Sequence, residues 1–341
     1  MDAITAYGLT KQYEGRTVLQ GVNLQVPQGS AMAFAGHEGS GKTTLIRLLS
    51  GLCRPTAGEC SVLGMSPAFE TAKLHAQLGV VLETAPLYRT MTLAENLRFF
   101  AGIHNMDAND AQERSSFLLH RLDIWEYRDE KAGALPTGVT RRASLARALM
   151  HTPRVLLIDE AARGLDPDTA EIVRALLRYS VQEEGAALLL GTRNMWYAEK
   201  VCQSFSLMQG GVLIARGDKE SLRKGAGVRF RAALRLAEGD EPPPGFQLSE
   251  GLWQKDIDSE EEMPAIIAQA VGQGKRLWEA KLIRPALDEI YRAYLAGGKR
   301  REAAYGQQTR QKPEDSPAGA PAADSGAAVQ AEQPGEDRED G

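Results

Sequence analysis

Two kinds of apolar spacing divide this chain. Short unbroken apolar runs at Ala31-Met32-Ala33-Phe34-Ala35, Val80-Val81-Leu82, Val155-Leu156-Leu157-Ile158 and Ala187-Leu188-Leu189-Leu190 predict strands covered on both faces. Helical spacing fills the intervals. Thr44 to Ser50 predicts a helix stopped by Gly51. Residues 86 to about 150 read as helical. There Leu93, Leu97 and Phe100 share a face behind Thr92, whose third follower Glu95 completes a capping box. Ala111 to Leu122 repeats the pattern, and a third helix carrying Leu145, Ala148 and Leu149 is expected after Leu135-Pro136-Thr137-Gly138-Val139. A helix entered at Asp166-Pro167 and stopped at Gly185 joins two of the apolar runs, which is a βαβ unit. Residues 2–29 alternate weakly between turn signals at Glu14-Gly15 and Pro27-Gln28-Gly29, so a small antiparallel sheet is expected, continued by Gly58 to Gly64.

From Val228 the pattern changes to half-wet alternation. Strands are expected at Val228–Ala232, Trp253–Ile257 and Lys275–Ile283. Ser259 with Glu262 predicts a helix through Ala270. Pro285 opens a last helix with Leu287, Ile290, Tyr291, Tyr294 and Leu295 on one stripe. The expected organisation is a core unit over 1–222 with a helical subdomain at about 86–150, a small α+β domain over 228–298, and a tail over 301–341. After Pro313 that tail carries eight acids against Arg338 alone, with too few large apolar residues to fold.

The 341 residues leave room for two domains, and 43% hydrophobic with 25% charged residues is a globular composition. The net charge of −5 lies in the tail, so the body is near neutral and gives no electrostatic case for nucleic acid. No apolar run is long enough to span a bilayer and no signal segment opens the chain, so a cytoplasmic location is expected, with any membrane role through a partner. Cys53, Cys60 and Cys202 show no metal spacing and read as buried reduced thiols.

Chemistry enters at Gly36-His37-Glu38-Gly39-Ser40-Gly41-Lys42-Thr43-Thr44, which fits G-x-x-x-x-G-K-[ST] between a predicted strand and a predicted helix. Such a loop curls so that backbone N–H groups and the helix N-terminus face phosphate oxygens. Lys42 would reach the β- and γ-phosphates and Thr43 would hold Mg²⁺. Asp159-Glu160 closes an apolar strand. There Asp159 can hold Mg²⁺ through water and Glu160 can orient or deprotonate an attacking water.

Gly36–Thr43, then Leu156-Leu157-Ile158-Asp159-Glu160, then Arg163-Gly164-Leu165-Asp166-Pro167 resemble, in that order, the nucleotide-binding subunit of an ATP-binding cassette (ABC) transporter. The resemblance covers about residues 3–220. It implies an α/β P-loop NTPase fold, ATP and Mg²⁺ as ligands, and a homodimer or heterodimer sandwiching two nucleotides. It also implies a separate integral-membrane permease, met by the segment Thr84–Thr92. Tyr13 matches the aromatic residue that stacks on adenine, although packing on the small sheet explains it equally well. Gly164, Leu165 and Asp166 match the loop crossing the dimer interface. The last helix, with Arg284-Pro285-Ala286-Leu287-Asp288-Glu289-Ile290-Tyr291, resembles the C-terminal extension of ATPases serving two-part exporters.

Three positions depart from the family pattern. Glu83 stands for a glutamine, where it could ligate Mg²⁺ while adding negative charge. Leu135, Pro136, Thr137, Gly138 and Val139 stand for Leu-Ser-Gly-Gly-Gln, the signature that reaches the partner's ATP; Pro136 brings neither hydroxyl nor N–H. Arg193 stands for the switch histidine and cannot exchange a proton near neutral pH. These changes predict ATP binding with slow hydrolysis. The rival reading is a non-hydrolysing, ATP-gated dimerisation module of a membrane complex. A P-loop kinase or GTPase fits less well: the chain carries the Gly164–Asp166 loop and lacks Asn-Lys-x-Asp.

Overall fold

The structure, a computed structural model, describes residues 1–82, 87–161 and 164–297. Glu83, Thr84 to Pro86 of the expected permease-facing segment, Arg163 and the tail over 301–341 lie outside the described residues.

The hairpin β1 (Asp2–Tyr13) and β2 (Arg16–Pro27) leads into β3 (Ala31–Ala35), the glycine loop and α1 (Lys42–Leu49). β4 (Ala57–Val62) returns to pair with β1, giving an antiparallel sheet in the order β2-β1-β4. After α2 (Thr71–His75) and β5 (Leu78–Val81) comes the helical stretch: α3 (Leu93–Ile103), α4 (Ala108–Arg121) and α5 (Thr137–Leu149). The capping box at Thr92 and Glu95 forms as expected. α4 starts earlier than its apolar pattern because Asp107 accepts the N–H of Asn109. α5 starts inside the 135–139 motif rather than after it, with Pro136 at the N-cap position.

The chain then runs through β6 (Val155–Asp159), α6 (Pro167–Gln182), β7 (Ala187–Thr192), α7 (Met195–Val201), β8 (Ser204–Gln209) and β9 (Val212–Asp218). The main sheet has the order β5-β6-β7-β3-β8-β9. Its pairings are parallel except the last, so the sheet is mixed rather than purely parallel. β8 and β9 were not anticipated; their polar residues break the unbroken apolar run that marks the central strands. Both sheet faces are covered, as the apolar runs require. Leu156, Ile158, Leu188 and Leu190 face a core with α3 to α6, while Val155, Leu157, Ala187 and Leu189 face α1 and the antiparallel sheet.

Beyond α8 (Lys219–Ala226) a third sheet forms from β10 (Phe230–Leu236), β11 (Gln247–Ser249), β12 (Leu252–Ile257) and β13 (Leu277–Ile283), in the order β11-β12-β10-β13. α9 (Glu262–Gly272) covers one face through Met263 and Ile266. Its N-cap position is Glu261, not Ser259; the Glu262 carboxylate instead accepts the N–H groups of Asp258 and Ser259. The last helix, α10 (Leu287–Gly297), departs from the expected small C-terminal unit. Leu287, Ile290 and Tyr291 are fully buried and belong to the main core, beside α7 and α8. Of the cysteines, Cys202 is buried and Cys53 and Cys60 are half-buried, all free thiols.

Because α10 closes the main core, Leu287→Ala should cost about 2–5 kcal/mol in denaturant unfolding. Leu248→Ala on exposed β11 should change stability by less than about 0.5 kcal/mol.

Candidate active site

The parallel register sets the geometry. Ala35 lies opposite Thr192, and Asp159 opposite Gly191, so β3, β7 and β6 end together at one sheet edge. That is where open α/β sheets bind ligands. The glycine loop emerges from β3, with the Gly36 N–H donating to Thr192 O at 3.2 Å. Gly36 is obligatory: a Cβ there would sit 2.5 Å from Met208 O. Gly41 has φ +101°, a conformation that L side chains avoid, and leads straight into α1.

Lys42 is buried, and its ammonium donates to Gly36 O and His37 O, each at 2.8 Å, and to Ser40 Oγ at 3.3 Å. Desolvation lowers its pKa, opposed by the charges of Glu160 and Asp159. Thr43 Oγ1 donates to Asp159 Oδ2 at 2.5 Å, linking α1 to β6 across 116 residues of sequence. The hydroxyl and carboxylate are hard oxygen donors of the kind Mg²⁺ takes, with waters and phosphate completing its shell.

Glu160 follows at φ 57°, the left-handed region. That costs a non-glycine residue about 1–3 kcal/mol and aims the side chain back over the sheet edge. Its N–H donates to Gly191 O at 2.8 Å. Its carboxylate accepts from Thr192 Oγ1 at 3.1 Å and from the Arg193 N–H at 3.2 Å. The Thr192 hydroxyl accepts from the Asn194 N–H, which leaves its own proton for Glu160. Burial pushes the Glu160 carboxyl above its ordinary range, against the pull of Thr192 and Lys42. The Arg193 guanidinium bridges two acids, 3.2 Å from Glu38 Oε2 and 3.8 Å from Glu160 Oε1.

Glu38, Gly39, Gly41, Lys42, Thr43, Thr44, Asp159, Glu160 and Arg193 thus line one cavity of about 200 Å³, joined by Val18. Thr192, Val18 and Tyr291 escaped sequence reasoning. Thr192 could have been found as the hydroxyl ending the β7 apolar run. Nothing in the sequence links Tyr291 to His37, 254 residues away.

The remaining expected residues do not line this cavity, although the Tyr13 side chain neighbours Thr44, which does. Tyr13 is 40% exposed, its ring under Lys11 Nζ and its hydroxyl donating to Cys53 Sγ at 3.7 Å. Leu135 and Thr137 line an adjoining cleft of about 350 Å³ that shares Asp159 and Glu160 with it. Gly138 has open space around it, so nothing within the chain demands a glycine there. Gly164 has open space around it but stands at φ +70°, which by itself favours glycine, and Leu165 packs on the core. Asp166 caps α6, accepting from the Thr169 N–H at 2.9 Å and the Thr169 hydroxyl at 2.7 Å; these bonds hold its pKa low. Glu83 lies outside the described residues.

Residues 19–163 match the protein family described as ABC transporter. The daunorubicin resistance ATP-binding protein DrrA3 of Streptomyces coeruleorubidus is 30% identical, over 88% of this chain and 97% of its own length. The Nod factor export ATP-binding protein I of Neorhizobium galegae is 33% identical, over 64% of this chain and 63% of its own. Among solved structures, an ATP-binding subunit of an ABC transporter superposes with TM-score 0.63 at 26% identity, over 66% of this chain and 94% of its own. The fold is shared also with the dimeric ATP-binding cassette MJ0796 in a post-hydrolysis state, at TM-score 0.59 and 22% identity, over 63% of this chain and 98% of its own.

The raised Glu160 pKa has a stability consequence. The folded protein holds that proton more tightly than the unfolded chain does. Its contribution is therefore complete below the usual 4.5 and is lost as pH rises through the raised folded value. Glu160→Gln should accordingly raise the melting temperature at pH 7. Thermal scans in buffers stepped from pH 7 down to 4.5 should show the gain shrinking.

Proposed function

The chain belongs to the ATP-binding proteins of ABC transporters, and from that premise we propose how its residues divide the work. It is the ATP-binding subunit of an export-type transporter and energises a membrane permease. No described helix is long and apolar enough to cross a membrane, so the membrane path belongs to that permease.

The Lys42, Thr43 and Asp159 cluster at the end of β3 and β6 is the observation that carries the assignment of the nucleotide site. In our reading the loop amides from Gly36 to Thr44 and Lys42 grip the phosphates. Lys42 then exchanges its loop carbonyls for phosphate oxygens. Thr43 and Asp159 would hold Mg²⁺, with Glu83 a further oxygen donor, and the ion would neutralise charge on the γ-phosphate. Tyr13, with its exposed ring, takes the adenine. Glu160 orients and deprotonates water, and its raised pKa brings it closer to the basicity that the task asks for.

Two such cassettes would close around two ATP molecules, offering the start of α5 and the loop at Gly164-Leu165-Asp166 to each other. The open space around Gly138 supports this: a helical glycine that nothing in the chain requires leaves room for an approaching group. No side chain caps α5, which leaves its first amides for a phosphate. Pro136 contributes none, and Arg193 clamps Glu160 while offering no proton exchange. Whether the partner is a second copy or a different cassette, no pairing assembles every family residue in one site. We therefore assign the protein tight ATP binding and slow turnover.

Steady-state ATP hydrolysis tests this. Wild-type turnover should be slow yet well above that of Glu160→Gln, and Pro136→Ser combined with Arg193→His should raise kcat by about tenfold or more. Equal rates in wild type and Glu160→Gln, with ATP still bound, would instead favour the ATP-gated module.

A further inference from the structure

α10 reaches the nucleotide site from the far end of the chain. Tyr291 is fully buried, and its hydroxyl donates to Met208 O at 2.8 Å. With its one proton committed, the oxygen can only accept toward its other neighbour, the backbone N–H of His37 in the glycine loop, at 3.4 Å. The imidazole of His37 meets the Tyr291 ring edge-on at 5.1 Å. Met208 O is also the atom that a Cβ on Gly36 would strike, so one carbonyl seats both the loop and the tyrosine. On its other face the loop is held by Lys42, bonded to the carbonyls of Gly36 and His37.

We propose that Tyr291 is a positioning residue for nucleotide binding: it seats the phosphate loop through the His37 amide, so that α10 completes the ATP site from the C-terminal part of the chain. When a triphosphate draws Lys42 away from the two carbonyls, the tyrosine remains as the loop's anchor at this corner. Burial raises the phenol's pKa, which keeps the donor protonated under ordinary conditions.

Two contacts tie α10 to the surrounding elements. Glu289, two residues before Tyr291, accepts from Arg231 of β10 at 2.9 Å. Glu199 of α7 accepts the Leu287 N–H and pairs with Lys219 at 2.6 Å. The C-terminal sheet thus touches, through Arg231, the same helix that reaches the glycine loop.

The proposal rests on the phosphate-loop reading above, and the test separates the two. Tyr291→Phe keeps the packed ring and deletes only the hydroxyl. In the full chain, nucleotide affinity is measured by titration calorimetry, and amide hydrogen exchange is followed over residues 36–41. Lys42→Ala serves as the control. We expect Tyr291→Phe to weaken ATP binding about three- to tenfold and to speed exchange of the loop amides in the nucleotide-free protein. The melting temperature, measured in parallel, tells loop loosening from global loss of stability: exchange should rise at the loop and stay unchanged in β6 and β7. Unchanged affinity and loop exchange in Tyr291→Phe, with binding lost in Lys42→Ala, would overturn the role given to Tyr291 alone. Unchanged affinity in Lys42→Ala would remove the phosphate-loop reading and this proposal with it.

Discussion

Parallel pairing of β7 between β3 and β6 is the constraint on which the rest of the structure depends. It brings the glycine loop, Thr192 and Asp159 to one edge, although 157 residues separate Ala35 from Thr192, its partner across the ladder. A slip of one residue would turn Leu156 and Ile158 toward the wrong core and carry Asp159 to the other face. The Thr43–Asp159 bond then fixes the two polar ends of the site against each other, 2.5 Å apart.

The site concentrates charge that burial would otherwise disfavour. Lys42 and Glu160 both show the cost in shifted pKa values, each with desolvation as the largest cause. Neither is left unpaired. Lys42 donates to two loop carbonyls and the Ser40 hydroxyl, and Glu160 accepts from the Thr192 hydroxyl and the Arg193 amide. Bonds to charged groups are each worth about 1.5–3 kcal/mol, enough to hold the groups in place without making the arrangement permanent. A phosphate oxygen can take over a carbonyl's place on Lys42 because it carries full negative charge and the carbonyl does not.

Much of this was legible in the sequence, because the strongest signals are local. An unbroken apolar run marks a central strand; the loop motif needs a strand before it and a helix after it; Thr92 and Glu95 sit within one turn. The elements that sequence reading missed or misplaced are those fixed by tertiary contact. β8 and β9 carry polar residues and pair at the sheet's far edge, so their pattern is diluted. α10 reads like any amphipathic helix, and its stripe does not say which core it faces. The 135–139 motif hides the true start of α5, since proline can stand at an N-cap as well as in a turn. Thr192 and Tyr291 take part in the site through bonds that no spacing encodes.

The departures from the family pattern that we infer fall mostly outside the phosphate grip, with Glu83 the exception. In our reading, residues that hold nucleotide within one chain, Lys42, Thr43 and Asp159 with the loop glycines, keep the family chemistry. Arg193, Pro136, Thr137 and Val139, to which we assign turnover and the partner's nucleotide, do not. Affinity and turnover draw on different interactions: binding needs charge and amides already present in the ground state, whereas rate needs groups better matched to the transition state. An arginine at 193 illustrates the split. Its fixed positive charge can strengthen the hold on a triphosphate, yet a guanidinium does not take up and release a proton as an imidazole does. Its second partner, Glu38, lies in the loop itself, so the same guanidinium that restrains Glu160 also restrains the loop.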